Sequence, residues 1–215
     1  MDAVSDETLL ARWEQTMSGS PGVGAALVER YAESARRYHD TRHLTEVLDH
    51  IDDLLTQAAT DAAADEAIDV LAVRLAGWFH DAVYDVRRDD NEEQSALLAE
   101  AVLRSVDVPS GRIAEVARLV RVTAAHKSAP GDANAAVLCD ADLAILASET
   151  ARYDAYARDV RAEYVHVEEA AFRSGRAAVL RALLALPRLY ATSYGRQFWE
   201  SPGRANLSRE LSTLE

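Results

Sequence analysis

His80 and Asp81 stand near the end of a run, Ala67 to Val83, that is otherwise apolar apart from Asp69 and Arg74. A carboxylate taken out of water needs a counter-charge, so a buried one pairs with a cation or ligates a metal. Three further segments bring the same kinds of side chain to apolar faces. In "YHDTRHLTEVLDHI", His39 and His43 are four apart, and His43 shares a helical face with Val47, Ile51 and Leu54. In "RVTAAHK", His126 lies above Leu119, Val122 and Thr123, with Lys127 next to it. In "CDADLAIL", Asp140 and Asp142 interrupt an apolar helical segment. Any one of these is most simply a residue tied to an arginine or to a backbone carbonyl. Together they offer two or three imidazoles and two or three carboxylates. That nitrogen and oxygen set suits Mn, Fe, Co, Ni or Zn rather than Ca. A thiolate site is excluded, because Cys139 is the one cysteine. A divalent cation would neutralise the carboxylates and so account for their place in an apolar setting.

Other groups stand near these in sequence. Asp85 lies one helical turn after Asp81 and is a candidate general base. Asn91 and Glu92 follow a short loop; they either fold back over the same site or serve as an ordinary N-cap with a first-turn carboxylate. His39 has three readings: a second cation's ligand, a support for one, or a cap. His126 and Lys127 are placed to face an anionic substrate or a second cation. His50 and His166 sit in charged contexts and are expected in solvent.

The elements that must position these groups read as helices throughout. The pattern predicts helices over 5–17, capped by Ser5 or Asp6, and over about 23–35 after the turn "SGSPG". Asp40 or Thr41 caps a helix over 42–59. Residues 64–84 form a helix apolar on nearly every side, expected to be central. Further helices are predicted over 91–105, 112–127 and 136–147. A long amphipathic stretch then runs to about 173, followed by 175–186, 187–195 and 204–214. No sustained alternation of period two, no repeat and no linker is present, so one all-α domain spanning 1–215 is expected.

Bulk properties bound the function. The chain has 215 residues, 49% hydrophobic, enough for a substantial core without staples. Its net charge of -13 argues against a nucleic-acid partner, which more often meets a basic face. The opening "MDAVSDETLL" is acidic and polar, unlike a secretory signal. No uncharged apolar stretch of about 18 residues occurs, so no membrane span is expected. A cytoplasmic setting follows as the expectation.

His43, then His80-Asp81, then Asp142 stand in the order His…His-Asp…Asp, which resembles the HD-domain superfamily of metal-dependent phosphohydrolases. The segments "YHDTRHLTEVL", "WFHDAVYD", "DNEEQSA", "CDADLAIL", "VRAEY", "GRAAVL" and "RANLSRE" are similar to its predicted metal-dependent phosphohydrolase subgroup, over roughly residues 30–210. The resemblance implies an all-α helical bundle with a metal-binding core over about 38–147 and flanking helices over 1–37 and 148–215. It implies His43, His80, Asp81 and Asp142 as ligands to one or two divalent ions, Mg included, with Asp140 orienting a ligand or water. The reaction it implies is hydrolysis of a small phosphate ester, a nucleotide among the candidates. Water activated at the metal attacks phosphorus, Asp85 or Glu92 takes the proton, and His126, Lys127, Arg161 and Arg176 hold the phosphate. Two alternatives stand beside it: a non-catalytic nucleotide-binding or interaction module with a structural metal, and a di-iron HD-type oxygenase with His39 and His126 as added ligands.

Overall fold

The computed structural model describes residues 6–60 and 67–215. Within them every regular element is helical and no strand occurs. Helix α1 spans Asp6–Thr16, α2 Pro21–Tyr31, α3 Thr41–Thr60, α4 Val70–Phe79, α5 Asn91–Ser105, α6 Ser110–Val122 and α7 Ala133–Leu143. A 3-10 turn, Ala144–Ala147, then leads to α8 at Thr150–Glu163, α9 at Glu169–Ala185, a π turn at Gly195–Trp199 and α10 at Glu200–Leu214. No helix among the described residues is long and apolar enough to cross a membrane.

Side-chain caps set several starts. Asp40 Oδ1 accepts the backbone N–H groups of Arg42 and His43 at 2.9 and 3.2 Å, which fixes α3 one turn before its first ligand candidate. Asp69 and Asp132 accept from Ala72 and Ala135 at 3.0 Å each and open α4 and α7.

Apolar side chains gather in two clusters. The first joins α1 to α7 around Trp13, Trp78, Phe79, Leu119 and Leu138, with α4 buried on nearly all sides. The second joins α8 to α10 around Tyr38, Tyr153, Tyr156, Leu180, Tyr190 and Leu207. Trp199 packs against both, so the seam between them runs past the C-terminal end of α7.

Close approach in the first cluster depends on Gly24. A Cβ there would lie 2.5 Å from Cδ1 and Cγ of Trp13, a fully buried ring locked edge-on to Trp78 at 5.3 Å. Alanine for glycine inside a helix ordinarily stabilises by about 1 kcal/mol. Here Gly24→Ala is expected to destabilise, by about 1–3 kcal/mol, because the indole cannot retreat. Thermal unfolding checks the sign, and a higher Tm in the variant would contradict the packing.

The observed helices depart from the expected ones in four places. The helix expected over 64–84 runs only Val70–Phe79, with His80 at its C-cap; residues 64–66, like Ser5, lie outside the described residues. The helix expected over 112–127 ends at Val122, and His126 adopts a left-handed φ of 48°. The stretch expected to run unbroken to about 173 divides at Tyr164, where Arg161 takes the carbonyls of Tyr164 and Val167 and Glu168 caps α9. Residues 187–192 are not helical: Glu200 accepts the N–H groups of Leu189 and Tyr190, and Asp140 those of Ala191 and Thr192.

Candidate metal centre

Three elements of the first cluster converge at the seam. His43 comes from the first turn of α3, His80 and Asp81 from the end of α4, and Asp142 from the last turn of α7. His43 Nε2 lies 3.1 Å from His80 Nε2, 3.3 Å from Asp81 Oδ2 and 3.3 Å from Asp142 Oδ1. His80 Nε2 lies 3.3 Å from Asp81 Oδ2 and 3.7 Å from Asp142 Oδ1. Metal–ligand bonds of about 2.1 Å place neighbouring donors about 3.0 Å apart at right angles and about 3.4 Å apart at tetrahedral angles. His43, His80 and Asp142 therefore lie close enough together to hold one ion.

The donor chemistry fits as well. His80 Nδ1 lies 2.8 Å from the Gly77 carbonyl, which can only accept, so Nδ1 carries the proton and Nε2 presents its lone pair to the cluster. Both imidazoles are buried, and both carboxylates nearly so. Burial alone would drive the His43 pKa down, yet Asp142 and Asp81 raise it to about 10. The same exchange holds Asp142 and Asp81 well below the usual carboxylate range despite their burial, chiefly through His80. A proton on His43 and a cation in the cluster compete for one lone pair, so metal uptake releases protons.

Compared with family models, with curated proteins and with solved structures, the chain matches none.

Around the cluster stand residues of differing fit. His126 Nε2 bonds Asp142 Oδ2 at 2.7 Å, which makes it a support for that carboxylate. Lys127 is exposed at the edge of a cleft of about 1120 Å³ that passes His126 and Asp140. Asp85 does not reach the ligand atoms: it sits in an exposed turn, its Oδ1 taking the Arg87 N–H, while Asn91 pins its backbone at both ends. Glu92 lies in the first turn of α5, with no hydrogen bond or ion pair to the cluster.

Arg161 and Arg176 are not brought to the cluster. Arg161 pairs with Glu169 at 2.9 Å and stacks over Phe172. Arg176 is committed to Glu210 at 2.7 Å and to the Tyr156 hydroxyl at 3.0 Å. Asp140 orients no ligand: it accepts the Ala191 and Thr192 amides at 2.8 Å each and the Thr192 hydroxyl at 2.6 Å, tying 191–192 to α7. Gly195 permits this, since a Cβ there would fall 2.7 Å from Asp140 Oδ2 and 2.8 Å from Tyr190 Cβ. His50, expected in solvent, is half-buried and packs edge-on against Trp199 at 5.3 Å.

Two positioning residues escaped the sequence reading. Glu163 is buried, and its Oε1 accepts the N–H groups of Arg37, Tyr38 and His39 at 2.9, 2.9 and 3.0 Å. Its Oε2 takes His39 Nδ1 at 2.8 Å and the Tyr84 hydroxyl at 2.9 Å, with His39 stacked on Tyr84 at 4.1 Å. Arg36, also buried, donates to the carbonyls of His39 and Asp81 at 3.0 and 2.7 Å. Together they fasten the chain before α3 to the chain after α4. Glu163 was legible in principle: it falls on the stripe Tyr153, Tyr156, Val160 and is a charge on an apolar face, as Asp142 is.

Proposed function

We propose that the chain is a metal-dependent phosphohydrolase of the HD type, an HD-like helical bundle with added N- and C-terminal helices, acting on a small phosphate ester. What supports this most is that His43, His80 and Asp142 lie close enough together to hold one ion, with Asp81 Oδ2 3.3 Å from Nε2 of each imidazole. A divalent cation there would polarise a phosphoryl oxygen and make bound water more acidic. His43 and His80 offer lone pairs, Asp81 and Asp142 offer charge, and His126 steadies Asp142 from behind. Lys127 stands exposed beside His126, the residue that bonds Asp142, and is available to an anionic substrate. A fully enclosed four-ligand site would suit a structural metal instead. The cavity that opens onto His43 and Asp142 favours access by a small molecule.

The test is a screen of mononucleotides, dinucleotides and simple phosphomonoesters with added Mn, Co, Ni and Mg. Turnover should depend on metal, stop with a chelator, and fall roughly 1000-fold in Asp81→Ala, a loss of about 4 kcal/mol in the transition state. An Asp81→Ala variant as active as the wild type would remove the proposal.

A further inference from the structure

Among the described residues, five buried side-chain polar atoms have no hydrogen-bond partner: Arg36 Nε, His50 Nδ1, Trp78 Nε1, Ser148 Oγ and Arg152 Nη1. Three of these, on His50, Ser148 and Arg152, belong to residues lining a single cavity of about 180 Å³. The same cavity is walled by His43 and Asp142 of the candidate metal centre. Buried polar atoms nearly always find a partner. Several gathered around one opening point to an occupant that satisfies them together. A single water needs only about 10–15 Å³, so the space admits a larger guest.

The chemistry of the wall restricts that guest. Arg152 Nη1 can only donate, and the Ser148 hydroxyl and the His50 ring nitrogen can each donate as well. Desolvation lowers the His50 pKa, and its unpaired Nδ1 can present an N–H to the cavity. Arg152 grips Glu46 through Nε and Nη2 at 2.8 and 2.5 Å, while Arg42 Nε reaches the same carboxylate at 3.0 Å. Glu46 is thus shared by two arginines, which leaves Arg152 Nη1 unpaired toward the cavity, with Asp159 also near both guanidinium groups. Ser148 is held in place by Asn206 of α10, whose Nδ2 donates to the carbonyls of Leu146 and Ser148 at 2.9 and 2.8 Å. Against these stands Asp142, whose carboxylate repels an anion until a cation lies between them.

We infer that this cavity is an oxyanion subsite, holding a phosphoryl-sized group on Arg152, Ser148 and His50 beside the cation position. The inference rests on the proposed metal site and gives it a substrate end: Arg152, Ser148 and His50 would hold the phosphoryl group, beside the residues that would hold a cation. Substrates then enter phosphate first, with the organic part directed outward.

Inorganic phosphate is the probe, titrated calorimetrically into protein freed of excess metal. The wild type should bind phosphate more tightly when loaded with metal. Ser148→Ala and Arg152→Lys should each weaken that binding at least 10-fold with metal content unchanged. Ser148→Ala removes a hydroxyl that has no protein partner, so its fold is expected to be intact. Arg152→Lys keeps the charge beside Glu46 while deleting the unpaired donor. Wild-type protein that takes up no phosphate, with or without metal, overturns the inference, as do two variants that bind it like the wild type. Water alone in the cavity gives that same result. Phosphate binding lost in the variants, with no turnover of any ester by the wild type, would sustain the subsite and remove the hydrolase reading. Turnover without any effect of the two substitutions on phosphate inhibition would do the reverse.

Discussion

His80→Ala should lower bound metal from near one ion per chain to background. With about 12 kcal/mol of binding shared among three or four donors, losing one costs about 3–4 kcal/mol, more than a 100-fold loss in affinity. Asp142→Ala should do at least as much, because it also strands His126. Elemental analysis after dialysis checks both. Arg161→Ala is the matched control, since that guanidinium serves Glu169 and the 164–167 turn, and it should retain metal. In the wild type, metal uptake should release protons, because His43 keeps its proton up to a pKa of about 10 until a cation displaces it. His80→Ala that still carries a full equivalent, at unchanged affinity, would end the metal assignment.

Glu163→Ala should be the most damaging substitution outside the ligand set. It leaves three backbone N–H groups, the Tyr84 hydroxyl and His39 without their acceptor. Removing one member of a buried charged network costs about 3–5 kcal/mol, which lowers Tm by about 10 °C in a chain of this size. Metal affinity should fall about 10- to 100-fold as well, because the segment before α3 loses its anchor. The effect of pH separates this network from simple packing. Burial would raise the Glu163 pKa, but His39 and the backbone N–H groups of Arg37 and His39 hold it at about 2, below the ordinary 4.5. A depressed folded-state pKa gives stability that is complete above about pH 4.5 and fades as pH falls through about 2. Glu163→Gln should lack that part of the acid-side loss in denaturant titrations. If it loses stability on acidification as the wild type does, the carboxylate is not the group responsible.

Elements with local signals could be read from the sequence. Asp40 announces α3, and the loop before Asn91 announces α5. Polar side chains on apolar faces pointed to His43, His80 and the pair Asp140 and Asp142, and the resemblance implied Asp142 of that pair; the fold brings His43, His80 and Asp142 together. Several of the misreadings come from backbone groups captured by side chains outside their own segment. Residues 187–192 begin with Pro187, a favourable first helical residue, yet the amides of 189–192 are taken by Glu200 and Asp140. The apolar run through Val83 contains no proline and a single glycine, Gly77, that lies inside α4, so the local signal for a stop at Phe79 is weak; Arg36 and Tyr31 hold the backbone at Asp81 from elsewhere. The arginines misled for a similar reason. Arg161 and Arg176 were set against phosphate by type, whereas acidic partners eight and 34 residues on neutralise them.

Glu163 lies 124 residues beyond His39, whereas the ligand candidates are complete once Asp142 has been made. On a growing chain, therefore, the cation's donors emerge before the carboxylate that fixes the strand of chain leading into them. Early capture of an ion would find those donors on a loosely tethered α3, and the tight geometry would arrive only when α8 docks. The second apolar cluster supplies none of the candidate ligands, yet through Glu163 it holds the chain that leads into α3.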